Sequence, residues 1–143
     1  MQRDAFENFN PEDFLQLAKE LENNLANLEV NESSIYRTIF GRIYYAIFLY
    51  VREWLCENTE YKSNPQGEHK RMPNFIRSKG PFNNVLNNEM CSDIKTLKKL
   101  RHQSDYYLHI PDEGTKEYNQ WIFEDTLFAF CLADKIINSF KNL

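Results

Sequence analysis

Hydrophobic residues in this chain return every three or four positions, and polar stretches divide the pattern into segments. Leu17, Leu21, Leu25 and Leu28 keep helical spacing behind Asn10-Pro11-Glu12-Asp13. That quartet reads as a helix start: a capping side chain, a proline at the first helical position, then two acids near the positive end of the helix dipole. A first helix is therefore expected to run to about Leu28 with one apolar face. Asn31-Glu32-Ser33-Ser34 marks the next start. From Ile35 to about Cys56, the residues Ile35, Ile39, Ile43, Ile47, Val51 and Leu55 form a seam, while Phe40, Tyr44, Phe48 and Trp54 cover other sides. A helix apolar around most of its girth belongs at the centre of a bundle.

Between Glu57 and Gly67 the composition turns polar and includes Pro65, which predicts a loop. A brief helix is expected near Glu68, interrupted by Pro73 unless it starts there. Ser78-Lys79-Gly80-Pro81 breaks the chain again, and Phe82 to Leu86 forms a short amphipathic segment. Ser92-Asp93 then reads as the cap of a helix carrying Ile94, Leu97, Leu100 and Leu108, which ends near Ile110-Pro111 because proline disfavours helical geometry at its predecessor. A last long helix is expected from about Thr115 to Lys141, with Trp121, Ile122, Leu127, Phe128, Leu132, Ile136 and Phe140 as its apolar positions.

Composition agrees with this all-α reading, since only 4 Gly and 5 Pro are present to punctuate turns while 42% of the residues are hydrophobic. At 143 residues the chain suits one core, so residues 1–143 are expected to form a single domain. A net charge of −4 excludes a protein that coats nucleic acid through a broad excess of Lys and Arg, and leaves room for a local basic patch. Cys56, Cys91 and Cys131 lie far apart with no CxxC pair or zinc-finger spacing, so they are expected to be reduced and buried, with no metal and no cofactor. The start of the chain lacks a signal-like pattern, and the longest hydrophobic tract, 43–51, is too short to span a bilayer. A cytoplasmic protein that makes no membrane contact is the expectation.

Candidate chemistry concentrates in 100-LRHQSDYYLH-109. At about 100° per residue, Arg101 falls inside the arc swept by Ile94, Leu97, Leu100, Ser104 and Leu108. A cation facing packed protein needs a carboxylate, a partner chain or a bound anion, and Asp105 is the nearest carboxylate, one turn on. His102 and His109 share a face, with Asp105 between them. An imidazole of near-neutral pKa, a cation to hold phosphate and a carboxylate to orient the ring are the parts that metal-free RNA cleavage needs. The same spacing also describes an ordinary stabilising helix flank. Lys95, Lys98 and Lys99 make a basic stripe with His102, and His69-Lys70-Arg71 with Arg77 and Lys79 make a second cluster. These are candidates for contacts to a phosphate backbone, or a solvated face.

Three segments, 41-GRIYYAIFLYVREWL-55, 67-GEHKRMPNFI-76 and 100-LRHQSDY-106, in this order and at these separations, resemble the small stand-alone HEPN domains (higher eukaryote and prokaryote nucleotide-binding). The branch with an (S/G)RxYYA helix, a Gly-x-His segment and an LRxxADY helix is especially similar, over roughly residues 33–140. The resemblance implies an up-down bundle of four or five helices that pairs into a homodimer, with the polar motif helices of both protomers lining one cleft. It implies either a metal-independent endoribonuclease, as in toxin–antitoxin, CRISPR or anti-phage systems, or a non-catalytic module that binds nucleotide or a partner protein. In the toxin–antitoxin pairs that partner is often a minimal nucleotidyltransferase acting as antitoxin. Catalytic members carry an Arg, four to six residues, then a His. Arg101 matches the arginine, His109 lies one residue beyond that range, and Tyr106 or Tyr107 stands where the His is expected. The candidate catalytic set is thus Arg101, His102, Asp105 and His109. Arg42, Tyr45 and Tyr106 would support the cleft, with Asp105 bridging Arg42 and Arg101, and Lys95, Lys98, Lys99 and His69 would touch RNA.

Overall fold

The structure, a computed structural model, describes residues 10–106 and 115–143, and every regular element among them is helical. Helix α1 (Glu12–Asn23) packs on α2 (Glu32–Asn58), and α2 also meets α4 (Asn84–Tyr106) and α6 (Thr126–Lys141). Helix α3 (Glu68–Lys79) lies along α4. The result is the all-α helical bundle that the periodicity predicts, with α2 at its centre. The seam Ile35, Ile39, Ile43, Ile47, Val51 and Leu55 is buried along its whole length. Asn31 caps α2 through an Oδ1 that accepts the Ser33 N–H at 2.9 Å. No helix among the described residues is long and apolar enough to cross a membrane.

Tertiary contacts override local signals at several points. Helix α1 stops at Asn24, whose side-chain amide donates to the Glu20 carbonyl at 2.8 Å, and a 3-10 turn (Leu25–Asn27) replaces the expected last turns. It buries Leu15 and Ala18 rather than the leucine stripe, and Leu17 is exposed. Ala18 is fully buried where α1 packs on α2. Helix α3 runs straight through Pro73. The proline forfeits one helical hydrogen bond and costs about 3 kcal/mol, but Met72 and Ile76 on the same face are fully buried, at about 1.5–3 kcal/mol each.

Helix α4 begins eight residues before Ser92-Asp93, capped by Asn83, whose Oδ1 accepts the Leu86 N–H at 2.9 Å. Asp93 therefore lies mid-helix and spends its carboxylate on Lys135 of α6 at 2.9 Å, with Glu89 on the same ammonium. The α3–α4 turn is clasped by buried Asn87, which accepts from the Phe82 N–H and donates to the Gly80 and Phe82 carbonyls. A Cβ on Gly80 would come within 2.4 Å of the Ile76 carbonyl and 2.5 Å of Asn87 Oδ1, so only glycine fits there.

Thr115 caps the last rod, its Oγ1 accepting the Tyr118 N–H at 3.2 Å. That rod passes from α5 (Lys116–Asn119) through a π-helical stretch (Gln120–Asp125) into α6. The wider turn shifts the helical phase, so Leu127 and Phe128, expected inside, are exposed together with Phe123. Of the three thiols only Cys91 is buried. Cys56 is half-buried and Cys131 is exposed on α6, contrary to expectation.

Candidate functional site

Three helices bring one histidine, one arginine and a set of aromatic rings together. Helix α2 offers Tyr44, Tyr45 and Phe48 on neighbouring turns, α3 offers His69 two residues after the left-handed Gly67 (φ 67), and α4 offers Arg101. The His69 ring stacks on Phe48 with centroids 4.2 Å apart and planes 17° from parallel. Its Nδ1 lies 2.6 Å from the Tyr44 hydroxyl. The Arg101 guanidinium sits over the Tyr45 ring at 4.8 Å and the Tyr44 ring at 5.5 Å, and its Nε donates to Asp105 Oδ2 at 3.1 Å.

Electrostatics keep this imidazole neutral. Burial lowers the His69 pKa, and the cations of Arg101, Lys98 and Arg52 lower it further against a smaller opposing pull from Glu68. Burial also pushes the Tyr44 phenol well up, so it stays protonated. A neutral imidazole that donates its Nδ1 proton to the Tyr44 oxygen keeps a free lone pair on Nε2. The site then holds one neutral ring with a lone pair to offer, beside a permanent cation.

Behind His69 lies a second, closed arrangement. Glu68 accepts from the Tyr61 hydroxyl at 2.7 Å, the Asn64 N–H at 3.1 Å, the Ser63 hydroxyl at 3.2 Å, Arg71 at 3.3 Å and Arg52 at 3.4 Å. Burial alone would raise its pKa, but these bonds outweigh it and hold the carboxyl below the usual range. They tie the 59–67 loop to the first turn of α3 and so fix where His69 starts. Arg52 also lies over the Phe48 ring on which His69 stacks.

The residues expected from sequence are distributed unevenly around this centre. Arg101 and Asp105 pair as expected, although at 21% and 33% side-chain exposure they sit at the edge of packed protein rather than within it. Tyr45 lies under Arg101, and Lys98 is near enough to act on His69. Arg42 departs from expectation: its guanidinium lies over the Phe14 ring of α1 at 5.1 Å, while Asp105 takes the Nε of Arg101, so the expected bridge is replaced by two separate contacts. His102 is on the exposed side of α4. His109 and the Tyr106 side chain lie outside the described residues. Lys95 donates to Asn74 at 3.0 Å, and Lys99 lines a groove with Arg77.

Sequence reasoning did not bring His69 together with Arg101, Tyr44 and Phe48, nor Arg52 together with Glu68. The available signal was the Gly67-x-His69 segment. Among the described residues no group of three or more His, Cys, Asp or Glu is placed to hold a metal ion. The arrangement can bind an anion at Arg101 and exchange a proton at His69.

No family model matches the sequence, and no solved structure gives a significant match. The chain is 34% identical over 149 aligned positions to the uncharacterized protein MJ0628 of Methanocaldococcus jannaschii, covering 92% of this chain and 85% of that protein. It is 31% identical over 120 positions to a second protein of the same organism, the uncharacterized protein MJ0992, covering 76% of this chain and 66% of that one.

Proposed function

We propose that this chain, which belongs to the family of the Methanocaldococcus jannaschii protein MJ0628, is a HEPN-type metal-independent endoribonuclease whose proton-transfer group is His69. The contact that carries the reading is the 2.6 Å approach of the Tyr44 hydroxyl to His69 Nδ1, with Arg101 over the same tyrosine ring. The neutral imidazole takes the proton from an RNA 2′-hydroxyl, and the 2′-oxygen attacks the adjacent phosphorus. The P–O bond to the 5′-oxygen breaks, and that oxygen takes a proton from solvent. The products are a 2′,3′-cyclic phosphate and a 5′-hydroxyl. Arg101, held by Asp105 and two ring faces, stabilises the charge on the phosphoryl oxygens.

Homodimerisation belongs to this reading. The exposed side chains of Phe123, Leu127 and Phe128 support it by offering apolar surface on one stretch of the last rod. Light scattering of the purified protein should give about twice 17.2 kDa.

Cleavage of a labelled single-stranded RNA in EDTA tests the chemistry. His69→Gln should slow it by about 10²–10⁴ while RNA affinity changes little, since loss of a general base removes transition-state rather than ground-state interactions. If His102→Gln or His109→Gln produces that loss instead, the acid/base role passes to α4 and the assignment to His69 is wrong. If wild-type protein binds the RNA and leaves it intact, the non-catalytic module replaces the nuclease.

A further inference from the structure

Helices α3 and α4 line a groove on the surface. Arg77 of α3 and Lys95 and Lys99 of α4 line it, with Asn88, Ser92 and Thr96 between them, and no carboxylate is among its lining residues. In a chain with 17 Lys and Arg against 21 Asp and Glu, such a concentration of cations is a departure from the average. Two other surface grooves show the contrast. One mixes Glu60 with Lys62, Arg71 and Lys79, and the other carries Glu53 and Glu57 with no cation.

The groove and the candidate site share α4. Lys95, Lys98 and Arg101 stand at successive three-residue steps on α4, so their side chains are neighbours about 5–6 Å apart at Cβ. Lys98 acts electrostatically on His69, and Lys95 donates to Asn74 of α3 while an ammonium has three N–H groups to give. From Arg101 to Lys95 the helix rises about 9 Å, which places cations at intervals suited to successive phosphates of one strand.

We infer that the α3–α4 groove lined by Arg77, Lys95 and Lys99 binds the phosphodiester backbone of single-stranded RNA. This deepens the proposed function and rests on it for the choice of RNA as the polyanion. The groove grips the strand without reading its sequence, because its contacts are cation to phosphate.

Binding of a fluorescein-labelled twelve-nucleotide single-stranded RNA to the full chain, followed across a salt series, tests this. Each lost phosphate contact removes about 0.7 from the slope of log K against log salt for a single strand, so K95Q/K99Q should lower that slope by about 1.4. The charge-matched K62Q/K116Q, with both residues outside the groove, should leave it unchanged. Equal shifts in both doubles would mean diffuse attraction and overturn the groove, as would no shift in K95Q/K99Q or no RNA binding by wild type. Polyglutamate competing as well as RNA at equal charge would assign the groove to an acidic chain and overturn the proposal. Cleavage is scored separately. If the slope shift appears while wild type cuts no RNA, the groove stands and the nuclease reading falls. If wild type cuts RNA and the slope does not shift, the reverse holds.

Discussion

Two charged clusters flank His69, and they differ in how much water reaches them. Glu68 keeps only 3% of its side chain exposed and accepts five hydrogen bonds from the 59–67 loop, Arg71 and Arg52. Among the described residues, Arg101 and Asp105, at 21% and 33%, make one hydrogen bond between them, and Arg101 otherwise lies over the Tyr44 and Tyr45 ring faces. The first cluster has used its acceptor capacity internally. The second retains guanidinium N–H groups that a ring face cannot satisfy, so it has donors for an incoming anion. Closed charge holds the frame, and open charge stays within reach of solvent.

The largest expected effect falls on the open cluster. Arg101→Ala should slow RNA cleavage by about 10²–10³, the usual cost of removing a preorganised donor from a developing oxyanion, while the melting temperature falls by only a few degrees. Single-turnover cleavage and a thermal melt on the same preparation read both. A large loss of stability with unchanged cleavage would invert the roles of the two clusters.

Next in size is Glu68→Ala. It leaves buried donors without an acceptor, and because Arg52 and Arg71 are themselves part-exposed the cost should sit near the low end for a broken buried pair, about 3 kcal/mol, or about 10 °C in melting temperature. Urea unfolding measures it. A loss under about 1 kcal/mol would mean that water serves these donors as well as the carboxylate does.

Acid should separate the clusters in a smaller way. His69 has its pKa lowered from an ordinary 6.5, so the unfolded chain takes up more protons than the folded one below that pH. Its contribution to stability is complete above pH 6.5 and is lost as the pH falls through the lower folded value. Glu68, lowered from 4.5, gives a second loss with the same sign further down. Urea midpoints at stepped pH should show both, with His69→Gln removing the upper loss and Glu68→Gln the lower. The smallest effect belongs to Arg101 and Asp105 as a pair. A double-mutant cycle should give a coupling of about 0.5 kcal/mol, typical of a part-exposed pair one turn apart, and a value above about 2 kcal/mol would mean the pair is closed after all.

How far the sequence could be read depended on whether the deciding contact was local. The Asn31 cap and the buried seam of α2 were legible because each rests on neighbours within a few residues. Ser92-Asp93 misled as a cap because Asp93 answers to Lys135, 42 residues away. Pro73 misled because burial of Met72 and Ile76 outweighs the bond it removes. In the site, Arg101 with Asp105 was legible at four-residue spacing. The sequence offers His69 only as an RNA-backbone contact and Arg42 as part of the polar centre, because neither the Phe48 ring nor the Phe14 ring is a sequence neighbour.

The order of apolar and polar positions by itself determined an all-α chain, a central second helix and a cation–carboxylate pair on α4, since helical periodicity, capping and one-turn spacing are properties of short stretches. Tertiary structure decided which histidine meets Arg101's ring system, which charges are sealed and which stay open, and where the last rod turns its phenylalanines. Those depend on side chains from α2, α3 and α4 packing against one another, and the burial and shared hydrogen bonds that set them arise only when the helices meet.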